Sequence, residues 1–249
     1  MKRRVLLHGF AGSPAAWEPI AARLREHDEV LALRITGHAF SPATSASFVD
    51  EVDRLAAEIQ ANGFAGAQLA GYSLGGRLAL GLACRHAGLI SRLILIGAHP
   101  GLAAEDPMRA ERVASDEAWA RKLEDQGMAS FEAAWATQPI FASQLALAEP
   151  AQAQQRALRL GHEAAGLAHA MRVLSLGRMP DWSNAYAQLH VPMDLLVGQA
   201  DTKFLALAQR MQAINAQARL TVAPNAGHNL LLEAPELVLS RLLDDSSQR

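Results

Sequence analysis

The sequence has little cysteine, little excess charge and no long apolar run, and each of these absences excludes a class of protein. Its 249 residues include a single cysteine, Cys84, which excludes an internal disulfide and fits a reducing compartment. The formal net charge of −2 is not the basic excess of a nucleic-acid-binding protein. No run approaches the roughly 18 apolar residues of a membrane span, and the N-terminal apolar segment is too short for a signal peptide. We therefore expect a cytoplasmic protein with no membrane span and no nucleic-acid partner.

The usual metal and phosphate motifs are also missing. There is no H-E-x-x-H, no cysteine-rich metal spacing and no G-x-x-x-x-G-K-[ST] phosphate loop. We expect no metal and no cofactor. Cys84 lies in a helical run eleven residues after Ser73, and we interpret it as a core thiol rather than a nucleophile. The composition does not indicate an oligomeric state.

What is present is an alternation of apolar runs and amphipathic stretches. The strand-like runs are nearly continuous in apolar character, as in strands that are covered on both faces. They lie at Val5–His8, Val30–Ile35, Ala67–Tyr72, Leu93–Ile96, Met193–Val197 and Ala218–Val222. Amphipathic helical stretches separate several of them, and Ser47 has the position of an N-cap before the helix that should end at Asn62-Gly63. The order predicts an α/β fold with a mostly parallel, doubly wound sheet.

One long segment breaks this alternation. Residues 99–180 are rich in Ala, Gln, Arg and Glu and show helical periodicity without β-branched runs. We interpret 99–180, here called the cap, as a helical insertion into a core made of residues 1–98 and 181–249. Such an insertion would cover the carboxyl edge of the sheet, where ligands bind in open α/β folds. His162 and His169 are interpreted as surface residues of the cap.

The most informative motif is the G-x-S-x-G sequence at Gly71 to Gly75, between a strand-like run and a helical run. A chain that passes from strand to helix in so little space needs glycines on either side of the central serine. This pattern predicts that Ser73 is an exposed nucleophile above the carboxyl end of the sheet. A surface turn of the same spelling is the alternative, and the flanking strand and helix patterns favour the nucleophile.

A reactive serine needs a histidine that takes its proton and an acid that orients the histidine. The order expected after such a serine is acid and then histidine, each following a strand. Asp201 and His228 meet both conditions. Asp201 alone could instead be a helix N-cap, and Asp194 is a competing acid that lies within a strand pattern. We predict a Ser73–His228–Asp201 triad.

Two backbone N–H groups are expected to stabilise developing negative charge next to this serine. Leu74 would supply one at the start of the helix, and Phe10 the other, because Gly9 and Gly12 allow a tight turn after the first strand. His8 is interpreted as a structural residue at the base of that loop.

Arg77 follows Ser73 by one helical turn. A guanidinium in that position is out of place in an enzyme that binds only apolar esters, because a buried cation needs an anionic partner. The partner could be an internal acid, which would make Arg77 structural, or a substrate carboxylate. Arg109, Arg112 and Arg159 of the cap could reach the same anion.

The motifs resemble those of the α/β-hydrolase superfamily, through His8-Gly9-Phe10, the serine turn, Asp201 and His228. A closer similarity is to the 2-succinyl-6-hydroxy-2,4-cyclohexadiene-1-carboxylate synthases of menaquinone biosynthesis. The stretches that carry this resemblance are LHGFAGSPAAW from Leu7, GYSLGGRLAL from Gly71, GAHPGL from Gly97, RAERVASDEAWA from Arg109, WATQPIFAS from Trp135, GQADTKF from Gly198 and AGHN from Ala226.

The resemblance implies a lyase that eliminates pyruvate from a small, multiply carboxylated cyclohexene intermediate, with the serine acting as a base. It implies that Arg77, Arg112 and Arg159 bind carboxylates and that Tyr72 and Trp135 line the pocket. The chain departs from the family at Ala39 and Ala136, where glycine and an aromatic residue are more common. A serine carboxylesterase or C–C bond hydrolase is the alternative, and a non-catalytic binding protein with this fold is a third.

Overall fold

A computed structural model describes residues 1–244 of the chain. All six expected strands are present and pair in parallel, in the order β2-β1-β3-β4-β5-β6. The strands are β1 Arg3–Leu7, β2 Glu29–Leu33, β3 Ala67–Tyr72, β4 Ile90–Ile96, β5 Met193–Gly198 and β6 Ala218–Ala223. The predicted α/β class and doubly wound sheet are confirmed.

The helices follow the strands and also fill the long segment between β4 and β5. They are α1 Glu18–Leu24, α2 Phe48–Ala61, α3 Leu74–Arg85, α4 Met108–Trp135, α5 Glu149–Leu160, α6 Ala164–Val173, α7 Ser183–Ala187, α8 Thr202–Ile214, α9 Leu230–Glu233 and α10 Pro235–Leu243. Shorter 3₁₀ turns lie at Pro14–Trp17, Ala87–Leu89 and Pro139–Ala146. Among residues 1–244, no helix has both the length and the apolar character needed to cross a membrane.

The sheet is covered on both faces, which explains why its strands have continuous apolar runs. One face packs against α2, α3, α7 and α8 in the larger apolar cluster. The other packs against α1, α9 and α10 around the fully buried Trp17. Every residue of β3 and of β5 is buried. Cys84 packs half-buried against the first cluster, where burial raises the pKa of its thiol to about 12.

Local signals fixed the ends of α2 as expected. The Ser47 side chain accepts a hydrogen bond from the Asp50 N–H at 3.1 Å, which is N-cap geometry. The helix stops at Ala61, and Gly63 follows with a φ of +77°, which favours glycine.

The segment between β4 and β5 is helical, with α6 packed on α4 around Leu123, Phe131 and Met171, and with α5 in contact with α4. Helix α4 is interrupted at Gly127, whose φ of +74° and ψ of +178° bend it into two parts. Its later part brings Trp135 to 5.4 Å from the Phe10 ring of the core, measured between ring centroids. The exact limits of core and cap stay a prediction.

The interpretation of His162 as a surface residue is wrong. Its ring is 6% exposed, packs edge-on at 5.6 Å from the His38 ring, and accepts a hydrogen bond from the Ala39 N–H at 2.8 Å. Gly37 and Gly166 approach so closely beside it that a Cβ on Gly37 would lie 2.1 Å from the Gly166 carbonyl oxygen. Cap and core are thus joined by buried polar contacts. His169 is half-buried and bonds the Ser45 carbonyl oxygen at 2.8 Å.

Candidate active site

Ser73 lies at the turn between β3 and α3, at the carboxyl end of the central strands. Its φ of +53° and ψ of −108° are unusual for a residue with a side chain. The Ser73 N–H is fixed by the Ile96 carbonyl oxygen at 2.8 Å. A Cβ on Gly71 would lie 2.2 Å from the Gly75 carbonyl oxygen, so the turn closes only because glycine is present. The strained serine turn expected from the motif is therefore in the structure.

Gly75 also excludes a side chain. A Cβ there would lie 2.4 Å from the carbonyl oxygens of both Leu7 and His8, which are backbone atoms and cannot swing away. We expect Gly75→Ala to lower the free energy of unfolding by about 3 kcal/mol or more, as measured by urea titration. Gly88→Ala is the matched control, because nothing lies within 4 Å of a Cβ at Gly88. Equal stabilities for the two variants would contradict this account of the turn.

The three predicted triad side chains meet. The Ser73 hydroxyl lies 3.0 Å from His228 Nε2, and His228 Nδ1 lies 2.6 Å from Asp201 Oδ2. His228 is 3% exposed, and the rings of Phe204 and Tyr72 flank it at 4.6 and 5.4 Å between centroids. This is the geometry in which a histidine can take the proton of a serine while a carboxylate holds its ring.

Both interpretations of Asp201 are correct at once. Its Oδ2 bonds His228, and its Oδ1 accepts the Phe204 N–H at 3.4 Å as the N-cap of α8. Asp194, the competing acid, is buried in β5 and pairs with Arg92 and with Arg219. Its carboxylate is therefore committed to a structural ion network away from His228.

Glu233 fixes the loop that carries His228, and the sequence reasoning missed it. One carboxylate oxygen accepts the Gly227 N–H at 2.6 Å and the other accepts the Asn229 N–H at 3.1 Å. The two N–H groups lie on either side of His228, so a single side chain sets the backbone around the imidazole. A carboxylate five residues after a histidine was the only available signal.

The two expected donors of an oxyanion hole both line the site. Leu74 begins α3, and Phe10 directly follows Gly9. A Cβ on Gly9 would lie 2.7 Å from the Tyr72 ring. Within the described residues, neither the Phe10 N–H nor the Leu74 N–H donates to another protein group. Both therefore remain available to an oxygen that gains negative charge beside Ser73.

His8 has the structural position expected of it. It is fully buried, its Nδ1 donates to the Gly9 carbonyl oxygen at 2.9 Å, and its Nε2 accepts the Ile35 N–H at 3.3 Å. Only the neutral ring can make both bonds. Burial lowers the pKa of His8 to about 4.

This depressed pKa makes stability depend on pH. The unfolded chain binds a proton at His8 near pH 6.5, whereas the folded chain resists it until about pH 4. We expect the free energy of unfolding to be highest above pH 6.5 and to fall between pH 6.5 and 4, by about 3 kcal/mol from His8 alone. Urea titrations across this range should show a shallower fall for His8→Gln and an unchanged fall for the exposed His27→Gln. An unchanged pH dependence in His8→Gln would contradict the assignment.

A cavity of about 700 Å³ opens above the triad, between the core and the segment that follows β4. Its lining includes Ser73 and His228 from the core and Trp119, Trp135 and Phe141 from the helical segment. The predicted pocket residues Tyr72 and Trp135 both line it. The Trp135 Nε1 is buried without a hydrogen-bond partner among the described residues.

Arg77 lines the cavity and makes no ion pair within the part of the chain described here. Its guanidinium donates to the Leu174 carbonyl oxygen at 2.9 Å and lies 5.8 Å from the centre of the Phe48 ring. Burial, followed by the charge of Arg112, lowers the pKa of Arg77 to about 9. The structure thus does not supply the internal carboxylate partner that a structural role would require.

The other three arginines have different positions. Arg112 lines the cavity and pairs with Asp116 at 2.8 Å. Arg159 also lines it, donates to Gln144 at 3.1 Å and lies 4.8 Å from the Phe141 ring centre. Arg109 does not reach the cavity, because it donates to the carbonyl oxygens of Leu102 and Met179. The suggestion that Arg109 joins the anion site is therefore wrong.

No three histidine, cysteine, aspartate or glutamate side chains within residues 1–244 are grouped so that they could hold a metal ion. The chemistry available at this site is that of a serine, an imidazole, a carboxylate and fixed positive charge.

Comparisons with known proteins identify the family of the chain. Residues 5–241 match the model of the alpha/beta hydrolase family. The 2-succinyl-6-hydroxy-2,4-cyclohexadiene-1-carboxylate synthase of Enterobacter sp. (strain 638) is 36% identical over 240 residues, which cover 96% of this chain and 89% of that protein. The structure of MenH from S. aureus matches with a TM-score of 0.94 at 27% identity, over 100% of this chain and 95% of that one. A malate-bound esterase from Thermogutta terrifontis, with a TM-score of 0.85 at 22% identity over 97% of this chain and 88% of that one, shares the fold.

Proposed function

This chain belongs to the alpha/beta hydrolase family and, within it, to the 2-succinyl-6-hydroxy-2,4-cyclohexadiene-1-carboxylate synthases, and on that premise we propose that it is a lyase of menaquinone biosynthesis. Its substrate is a small cyclohexene intermediate with several carboxylates, from which it eliminates pyruvate. The single cysteine supports a cytoplasmic location for this reaction.

The observation that carries the proposal is the combination of a complete triad with an unpaired guanidinium in the same cavity. Ser73 lies 3.0 Å from His228, and Arg77 lies one turn further along α3 without a carboxylate partner among the described residues. A hydrolase of apolar esters has no need of such a charge. A carboxylated substrate would provide the anion that the protein itself does not.

The proposed reaction begins with proton transfer from the Ser73 hydroxyl to His228 Nε2. The resulting alkoxide removes a proton from a carbon of the substrate. The electron pair of that C–H bond forms the new C=C bond, and the C–O bond to the departing three-carbon group breaks. His228, held by Asp201 at 2.6 Å, returns its proton to the departing group, which leaves as pyruvate. No bond forms between Ser73 and the substrate.

The remaining groups would stabilise negative charge on the substrate and hold the substrate in position. The N–H groups of Phe10 and Leu74 stabilise a substrate oxygen that becomes negative when the proton leaves. Arg77 and Arg112 bind carboxylate on the α3 side of the cavity, and Arg159 does so beside Phe141. Tyr72 and Trp135 pack against the ring, so the substrate is fixed before the proton is removed.

A serine carboxylesterase or C–C bond hydrolase would use the same triad, and the esterase with this fold shows that the scaffold accommodates that chemistry in another protein. The two reactions differ in whether Ser73 becomes acylated. A hydrolase would give a burst with an activated ester and a covalent adduct on Ser73.

The test is a pyruvate-release assay on the menaquinone intermediate with the purified protein, coupled to lactate dehydrogenase. We expect stoichiometric pyruvate and no acyl adduct on Ser73 by mass spectrometry. Turnover of activated esters without pyruvate release from the intermediate would instead assign a hydrolase.

A further inference from the structure

His99 occupies a place in the cavity that neither the triad nor the arginines account for. It follows β4 and lines the cavity together with Arg77 and Lys203. Its ring is half-buried, so part of it faces the space that a substrate would fill.

The protonation pattern of His99 is set by the turn that follows it. The Gly101 N–H donates to His99 Nδ1 at 3.0 Å, so Nδ1 is an acceptor and carries no proton. The neutral ring must then carry its hydrogen on Nε2. Gly101 itself is fixed, because its φ is +117° and a Cβ there would lie 2.5 Å from the Pro180 carbonyl oxygen. The turn therefore holds the His99 ring in one orientation, and its neutral Nε2–H group has no protein acceptor among residues 1–244.

The charges beside His99 are unbalanced. Arg77 and the solvent-exposed Lys203 make no ion pair with any acid in the described part of the chain, whereas Arg112 pairs with Asp116 at 2.8 Å. Burial, and then the charges of Arg77 and Lys203, lower the pKa of His99 to about 4. A neutral donor in the same cavity as these two cations is suited to an anion that offers two oxygens.

We propose that His99 is a specificity-determining residue that donates its Nε2–H to a substrate carboxylate, in a subsite that it shares with Arg77 and Lys203. This inference rests on the proposed function for the identity of the substrate. The two cations supply attraction, and the fixed imidazole supplies direction without adding a further positive charge. Lys203 lies two residues after Asp201, so the same turn positions a triad acid and one edge of the subsite.

Two substitutions of His99 separate this role from a structural one. The amide of His99→Asn occupies the position of Nδ1 and can still accept the Gly101 N–H, but it leaves no donor at the position of Nε2. The amide of His99→Gln reaches the position of Nε2 and loses the bond to Gly101. We expect His99→Asn to keep the wild-type melting temperature and to raise KM about 10- to 100-fold, with a smaller change in kcat.

We expect the reverse pattern for His99→Gln, a lower melting temperature with KM within about threefold of wild type. A purely structural His99 would give the same order of melting temperatures, but it would leave the KM of His99→Asn at the wild-type value, because only the Gly101 bond would matter. A wild-type KM in His99→Asn would overturn the proposal.

Direct binding tests the subsite independently of turnover. In protein labelled with ¹⁵N-histidine, titration with pyruvate and, separately, with succinate should give a saturable shift of the His99 Nε2 resonance. Arg77→Met should weaken that shift. A response to pyruvate alone assigns the subsite to the departing group, and a response to succinate alone assigns it to the succinyl side. No shift with either acid would overturn the proposal.

The two proposals can fail separately. If carboxylates shift the His99 resonance but the protein releases no pyruvate from the menaquinone intermediate, the subsite stands and the proposed reaction falls. If pyruvate is released and His99→Asn has an unchanged KM, the reaction stands and the subsite falls.

Discussion

Ser73→Ala is expected to lower kcat for pyruvate release by about four orders of magnitude or more while the protein stays folded. Among residues 1–244, the Ser73 hydroxyl is the one protein group that bonds His228 Nε2, at 3.0 Å, and alanine cannot take part in proton transfer. The measurement is single-turnover pyruvate release, which detects very slow chemistry.

Ser73→Ala should not affect folding, because the turn depends on backbone contacts. The Ser73 N–H bond to Ile96 and the close approach of Gly71 to Gly75 are the same with alanine. We therefore expect the melting temperature to remain within about 2 °C of wild type. Ser240→Ala, on the exposed side of α10, is the matched control and should retain full activity. Appreciable turnover by Ser73→Ala would exclude Ser73 as the base.

The core of this fold could be predicted from sequence because its signals are local. A strand that is buried on both faces needs a continuous apolar run, and β3 and β5 have one. The turn at Ser73 needs glycine on either side for steric reasons that hold in any context. Asp201 and His228 could be paired with Ser73 since parallel strands bring their carboxyl ends to one edge.

The cap was harder to predict because side-chain direction there depends on how helices pack. Arg109 and Arg112 lie three residues apart on α4, yet Arg112 lines the cavity and Arg109 bonds backbone carbonyls outside it. The kink at Gly127 and the burial of His162 against His38 depend on the same packing. Composition could indicate a helical segment, but not which of its faces met the core.

Residues that act through contacts with the backbone could not be predicted from the sequence either. Glu233 clamps the N–H groups around His228, and His99 is oriented by the Gly101 N–H. Neither contact belongs to a pattern of residue types at fixed spacing. Each exists only because a loop folds back on itself, which is a property of the tertiary structure.

Arg77→Met is expected to make the protein more stable and less active. Burial lowers the pKa of Arg77 to about 9, below its usual value of 12.5. Arg77 is still charged at neutral pH, and holding that charge in the folded state costs free energy relative to the unfolded chain. This destabilisation is fully present below pH 9 and disappears as the pH rises toward 12.5. Removing the charge should raise the free energy of unfolding at pH 7 by about 1 to 3 kcal/mol, measured by urea titration.

The same substitution should lower kcat/KM for pyruvate release by about 10²- to 10³-fold, because a carboxylate bound in the cavity would lose its guanidinium partner. Arg109→Met is the matched control. Arg109 also donates to backbone carbonyls, but outside the cavity, so its loss should reduce stability and leave kcat/KM nearly unchanged. A structural Arg77 would behave like Arg109. Opposite signs for stability and activity are expected only of a cation that folding tolerates and the substrate requires.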